Sequence, residues 1–116
     1  LITLTSCQDN ETLSQDQAAQ DLQDIFTEIE SMVNTISCDN SEDWTFIGYG
    51  SKACGGFVGY IAYPAFIDTQ LFIELIEAHK QAQEDFNQKW QIVGTCDWEV
   101  PPTDVLCDDG VPKFVY

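Results

Sequence analysis

Apolar residues recur every three or four positions along two long stretches of the chain, and each pattern predicts an amphipathic α-helix. The first helix is predicted over 14–36, where Ser14 and Gln17 have the spacing of a capping box. Its apolar stripe is Ala18, Leu22, Ile25, Phe26, Ile29, Met32, Val33 and Ile36. The second helix is predicted over 68–90, with Asp68 as the N-cap residue. Its stripe is Leu71, Phe72, Leu75, Ile76, His79, Ala82, Phe86 and Trp90.

Short aromatic and β-branched runs predict two antiparallel hairpins. In the first, 44–47 and 58–63 flank a Gly-rich connection, and Pro64 ends the second run. In the second, 105–107 and 112–116 flank the turn signal Asp109-Gly110. The predicted fold class is α+β, with the two amphipathic helices packed on one face of a small antiparallel sheet made of the two hairpins.

The charge balance narrows the function classes. The chain has 116 residues, enough for one domain, and 44% of them are hydrophobic. Lys and Arg together number 4, against 20 Asp and Glu, for a net charge of −16. Binding to nucleic acid or to anionic lipid headgroups requires a basic surface, so we expect neither. The acidic surface favours solubility, with a cationic partner or Ca²⁺ as the alternative.

Five cysteines in so short a chain, without a CxxC metal motif, predict disulfides and an oxidising compartment. Cys38, Cys54, Cys96 and Cys107 allow three pairings. We predict Cys54 with Cys96, which ties the tip of the first hairpin to the end of the second helix, and therefore Cys38 with Cys107. Each bridge is expected to stabilise the fold by about 2–4 kcal/mol.

The fifth cysteine, Cys7, follows an apolar stretch, and Leu4-Thr5-Ser6-Cys7 resembles the lipobox of bacterial lipoproteins. The resemblance implies that residues 1–6 are the remnant of a signal peptide, and that the Cys7 thiol carries a diacylglycerol. Residues 7–13 are then a flexible tether, and 14–116 form the single domain. The acidic residues just after Cys7 resemble the surface-export signal of Bacteroidetes lipoproteins.

Three patterns in the first hairpin and in the loop before it are candidates for a specific chemistry. Lys52 and Ala53, next to a cross-linked cysteine on an exposed tip, suggest a peptidase-inhibitor loop, and a solvated tip is the alternative. Cys54 with His79 as base would suit a thiol enzyme, but a disulfide at Cys54 is favoured. A Ca²⁺ loop starting at Asp39 fails, because its sixth and twelfth positions are Trp44 and Gly50.

The block FIGYGSKACGG…GYIAY, the helix after it and the PP…C…G segment resemble small extracytoplasmic proteins of Bacteroidetes, many of them lipoproteins. The resemblance covers about residues 38–116 and brings no catalytic residue with it. We therefore expect a non-enzymatic domain of the cell envelope, anchored through Cys7 to the outer membrane on its periplasmic or outer side. Its role would be binding or structural, with a protein as a possible partner and no cofactor or metal. Exposed aromatic residues are candidates for the contact surface: Tyr49, Tyr63 and Trp98.

Overall fold

The computed structural model of the chain describes residues 7–97 and 100–116, and within those ranges the side chains from residue 14 onward. In chain order the helices and strands are α1 (Cys7–Ser31), β1 (Trp44–Tyr49), β2 (Gly59–Pro64), α2 (Thr69–Lys89), β3 (Asp104–Asp108) and β4 (Val111–Val115). The strands pair as two antiparallel hairpins, β1 with β2 and β3 with β4. The α+β fold class and the order of helices and hairpins are confirmed.

Helix α1 begins at Cys7, well before the predicted start at Ser14. The proposed cap at Ser14 is wrong, because the chain is already helical there. Residues 7–13 contain Gln, Glu and Leu, which favour helix, and no Pro or Gly that would interrupt one. Their backbone is therefore helical, while their role as a tether stays a prediction. The proposed signal remnant, residues 1–6, lies outside the described residues.

Helix α1 ends at Ser31, although the apolar period continues to Ile36. The N–H groups of Met32 and Val33 donate to carbonyls three residues back, at 3.2 and 3.0 Å, so the chain tightens into turns. Val33 and Ile36 nevertheless pack against the two core clusters. The apolar spacing in the sequence continues beyond the helix because these residues still face the core after the helix has ended.

Helix α2 begins as predicted, with the Asp68 carboxylate accepting the Leu71 N–H at 3.1 Å. It runs antiparallel to α1. Ile29, near the end of α1, packs with Phe72 near the start of α2. Leu22, earlier in α1, lies beside Trp90, where α2 has ended. The early turns of α1 therefore extend beyond the end of α2.

The first hairpin is covered on both faces, because its side chains alternate between them. One face packs on the helices around the buried cluster of Ile29, Phe72 and Ile76. That face carries Ile47, Tyr49, Ile61 and Tyr63. The opposite face packs on the second hairpin around Cys38, Trp44 and Val105, joined by Phe46, Ala62 and Phe114. The two hairpins thus stack through side chains as separate sheets, with the helices on the outer side of the first.

Both predicted disulfides are confirmed. Cys38 in the loop after α1 is bonded to Cys107 in β3, with the Cα atoms 5.1 Å apart. Cys54 in the tip of the first hairpin is bonded to Cys96 after α2, with a Cα separation of 5.4 Å. The turn between β3 and β4 is also as predicted: Asp109 and Gly110 have φ of 54° and 78°, the left-handed values of a two-residue type I′ turn.

Candidate functional site

The loop between β1 and β2 holds Lys52 against another part of the chain. The Lys52 Nζ donates a hydrogen bond to the Asp97 carbonyl at 2.8 Å, and the side chain is half-buried. Its backbone bonds Gly55 and Gly56 across the tip. Ala53 is exposed beside it. The predicted inhibitor loop is therefore well anchored, but its lysine is engaged within the fold rather than directed toward a partner's pocket.

Cys54, the nucleophile of the thiol-enzyme alternative, is not a free thiol in this fold. The Cys54 sulfur is bonded to Cys96, so its nucleophile is consumed. His79 is 6% exposed and packs on the rings of Phe26 and Tyr49, with centroids 5.6 and 6.3 Å away. These surroundings are those of a buried core residue, and they give no support to a catalytic pair.

Burial lowers the pKa of His79 below its usual 6.5, because the charged imidazolium loses its water. Among the described residues its Nδ1 has no hydrogen-bond partner. The unfolded chain therefore binds a proton more readily than the folded one. We expect the stability linked to His79 to be fully present above the unfolded pKa and lost as the pH falls below about 6.5, by at most about 1.4 kcal/mol per pH unit.

Urea unfolding between pH 7.5 and pH 5.5 measures this effect, in a window above the ordinary range of carboxylates, about 3.9–4.3. The control is His79→Phe, which keeps an aromatic ring in the aromatic surroundings and removes the titrating group. Its stability should vary less with pH across the window than that of the native chain. Equal slopes for the two proteins would show that His79 binds protons alike in the folded and unfolded chains.

A groove of about 370 Å³ lies where the end of α1, strand β2 and strand β4 meet. Its walls are mainly apolar and include the aromatic side chains of Trp44, Tyr60 and Phe114. Glu30 and Asn34, at the end of α1 and just after it, supply polar groups to the lining. Apolar walls with a few polar groups are typical of binding sites, so this groove is the candidate functional site.

Strand β2 borders this groove with an open edge. The Ala65 N–H donates to the Asp43 carbonyl at 2.8 Å, which fixes the alternation of bonds between β1 and β2. The pairs that exchange bonds are then residues 45 and 63, and 47 and 61. Tyr60 and Ala62 fall between these pairs, so their N–H and C=O groups are directed away from β1. No other backbone partner for them occurs in the part of the chain that the structure describes.

Strand β4 also borders the groove, but its edge offers fewer bonding groups. The two-residue turn makes residues 108 and 111 a hydrogen-bonded pair. The backbone groups of Pro112 and Phe114 therefore point away from β3. Pro112 has no N–H to donate. The carbonyl of Gly110, at the start of this edge, already accepts the Cys38 N–H at 2.9 Å. Strand β2 is therefore the better edge for pairing.

The aromatic residues proposed for the contact surface lie elsewhere. Tyr49 packs on Phe26 and Tyr63 on Phe72, each with ring centroids 4.7 Å apart, on the face toward the helices. Trp98 lies outside the described residues. Tyr60 was missed as a groove residue, although the period of two places it on the opposite face from Tyr63, which is the signal that could have identified it.

The described residues also bear on metal binding, membrane spanning and cellular compartment. Among the side chains of residues 14–97 and 100–116, no three of His, Cys, Asp or Glu are grouped to hold a metal ion. Neither α1 nor α2, as far as each is described, has the length and apolar content to cross a bilayer. The two disulfides indicate an oxidising, extracytoplasmic environment. No protein-family model, curated protein or solved structure matches the chain.

Proposed function

We propose that the chain is a lipid-anchored, extracytoplasmic binding domain of a bacterial cell envelope, and that it is not an enzyme. The observation that carries the binding role is the groove between β2, β4 and the end of α1. The groove is built on a scaffold that two disulfides hold together, so its walls are kept in place without a bound ligand.

The chemistry of the groove favours binding over catalysis. Its ionisable lining groups include the carboxylate of Glu30 and the phenol of Tyr60. General acid–base catalysis requires a group positioned with a pKa near the working pH, most often a histidine. His79, the only histidine of the chain, is not among the lining residues and packs within the core.

The anchor rests on Cys7 and on the geometry of α1. Four cysteines are paired with one another, which leaves Cys7 as the one available for a lipid. Helix α1 includes Cys7, and its early turns extend past the end of α2. At 1.5 Å per residue, the eleven residues before Ala18 span about 16 Å, so α1 serves as a helical spacer between the membrane and the domain.

Mass spectrometry of the mature protein from membranes of the producing cell tests the anchor. We expect an N-terminal peptide that starts at Cys7 and carries a diacylglycerol, and we expect Cys7→Ala to move the protein from the membrane to the soluble fraction. The control is Cys54→Ala/Cys96→Ala, which also removes cysteines but should remain with the membrane. A mature protein that retains residues 1–6, or an unmodified Cys7, would contradict the anchor.

Peptidase inhibition through Lys52 and Ala53 is not proposed as a second function. Its requirement is a lysine that enters a partner's acidic pocket, whereas the Lys52 ammonium donates to the Asp97 carbonyl. Entry of Lys52 into such a pocket would break its hydrogen bond to Asp97, and this cost would lower the affinity for the peptidase.

A further inference from the structure

We infer that the groove binds an extended, basic peptide segment of a partner protein, which adds as a new strand to the open edge of β2. The inference rests on the proposed function, since it names the occupant of the same groove. Strand addition to an exposed edge is a general mode of peptide recognition, in which main-chain bonds supply affinity and side-chain pockets supply specificity.

The backbone of β2 supplies the pairing groups. Tyr60 and Ala62 each direct one N–H and one C=O toward the groove, and both are non-proline residues. A peptide strand placed there forms up to four main-chain hydrogen bonds with these two residues. Strand β4 on the far side lacks a donor at Pro112, so it serves as a wall rather than as the pairing edge.

The walls of the groove select the side chains of the peptide. Successive residues of a strand point to opposite faces, so every second side chain of the peptide enters the groove. There it meets Ile36, Tyr60 and Phe114, which are apolar or aromatic surfaces. An alternating sequence is therefore the one that fits, with apolar side chains on these surfaces and polar side chains on the other face of the strand.

Charge decides between a basic peptide and its alternatives. The chain carries −16, and Glu30 lies in the groove lining. Strand β4 contains one lysine, Lys113. It alternates with Pro112 and Phe114, so its side chain lies on the other face of the second hairpin. An acidic peptide is repelled by this surface, and a second copy of the same chain, also at −16, is repelled in the same way.

A titration of the full, oxidised chain with synthetic peptides tests the inference, with backbone amide chemical shifts as the measurement. The probe is a nine-residue peptide that alternates Lys with Val or Ile. We expect the largest shifts at the amides of Tyr60 and Ala62, with binding that weakens as salt is added. The same peptide with Glu in place of Lys should bind at least about tenfold more weakly.

Backbone methylation of the peptide separates strand pairing from simple charge attraction. Methylating the nitrogens of one alternate set of residues removes the donors that face β2, while methylating the other set leaves them intact. We expect one of the two methylated peptides to lose binding and the other to retain it, because only one edge of the added strand pairs. Equal binding by both would overturn the strand-addition geometry.

Two variants of the chain localise the effect. Glu30→Lys should weaken binding of the basic peptide by about tenfold, whereas Glu28→Lys, the same change outside the groove lining of α1, should not. Ala62→Pro removes an edge donor that does not bond β1, and it should abolish strand pairing. If Ala62→Pro fails to fold, the methylated peptides and the Glu30 comparison still decide the outcome.

Other occupants give distinguishable results. If no peptide binds but the small apolar probe indole shifts the groove amides, the inference falls while the proposed binding function stands. If neither binds, both fall, and lipidation at Cys7 is judged separately by mass spectrometry. Concentration-dependent self-association with shifts at Tyr60 and Ala62 would overturn the inference in favour of a second copy of the chain.

Discussion

Replacing Cys38 and Cys107 together by Ala is expected to lower the free energy of unfolding by about 4 kcal/mol. The bond joins residues 69 positions apart, so its loss frees a long loop in the unfolded chain. In the chain-entropy account, closing a loop of this length restricts the unfolded state by about that amount. Since domains of this kind are stable by only about 5–15 kcal/mol, the loss is a large part of the total.

The bond also has a structural role, because it fastens the second hairpin to the rest of the domain. Beside it, the Cys38 N–H donates to the Gly110 carbonyl at 2.9 Å, and the Cys107 N–H donates to the Ser41 Oγ at 2.8 Å. Cys38 is 2% exposed, so the substitution leaves a small cavity as well. We expect amide exchange in β3 and β4 to accelerate more than in α2.

The matched control is Cys54→Ala/Cys96→Ala, whose bond joins residues 42 positions apart at exposed positions. The chain-entropy difference between the two bridges is only about 0.4 kcal/mol. A larger excess cost for Cys38→Ala/Cys107→Ala, measured by urea unfolding, therefore reports the packing around Cys38. A loss below about 1 kcal/mol for that variant would mean that side-chain packing alone holds the second hairpin.

Local patterns were sufficient to predict the helices and hairpins, because each depends on neighbours along the chain. The Asp68 cap and the Asp109-Gly110 turn are set by a few adjacent residues, and both were found where predicted. The start of α1 was placed wrongly because a polar stretch without an apolar period was interpreted as non-helical. Such residues still form helix when their propensities permit it.

The candidate site could not be predicted in the same way, because it depends on how distant segments stack. The contact between Lys52 and Asp97 spans 45 residues and changes an exposed lysine into an anchored one. One relevant signal was nevertheless present in the sequence. Apolar and aromatic residues occupy both faces of β1, including Phe46 on one and Ile47 on the other, which indicates a sheet covered on both sides.

Phe72→Ala is expected to lower the free energy of unfolding by about 3–5 kcal/mol, because the lost ring leaves a cavity where three elements meet. Phe72 has 0% exposure, packs with Ile29 of α1 and Ile76 of α2, and has its ring centroid 4.7 Å from that of Tyr63 in β2. Its removal therefore weakens the contact between the helices and the first hairpin at once. Urea unfolding with a single transition measures the change.

Leu71→Ala is the matched control, because it truncates a large apolar side chain on the same turn of α2. Leu71, unlike Phe72, is 44% exposed. It should cost less than about 1 kcal/mol, whereas Phe72→Leu, which retains much of the buried volume, should cost less than about 1.5 kcal/mol. The order Phe72→Ala, Phe72→Leu, Leu71→Ala follows from burial rather than from residue type. Equal losses at positions 71 and 72 would mean that α2 presents a different face to the first hairpin.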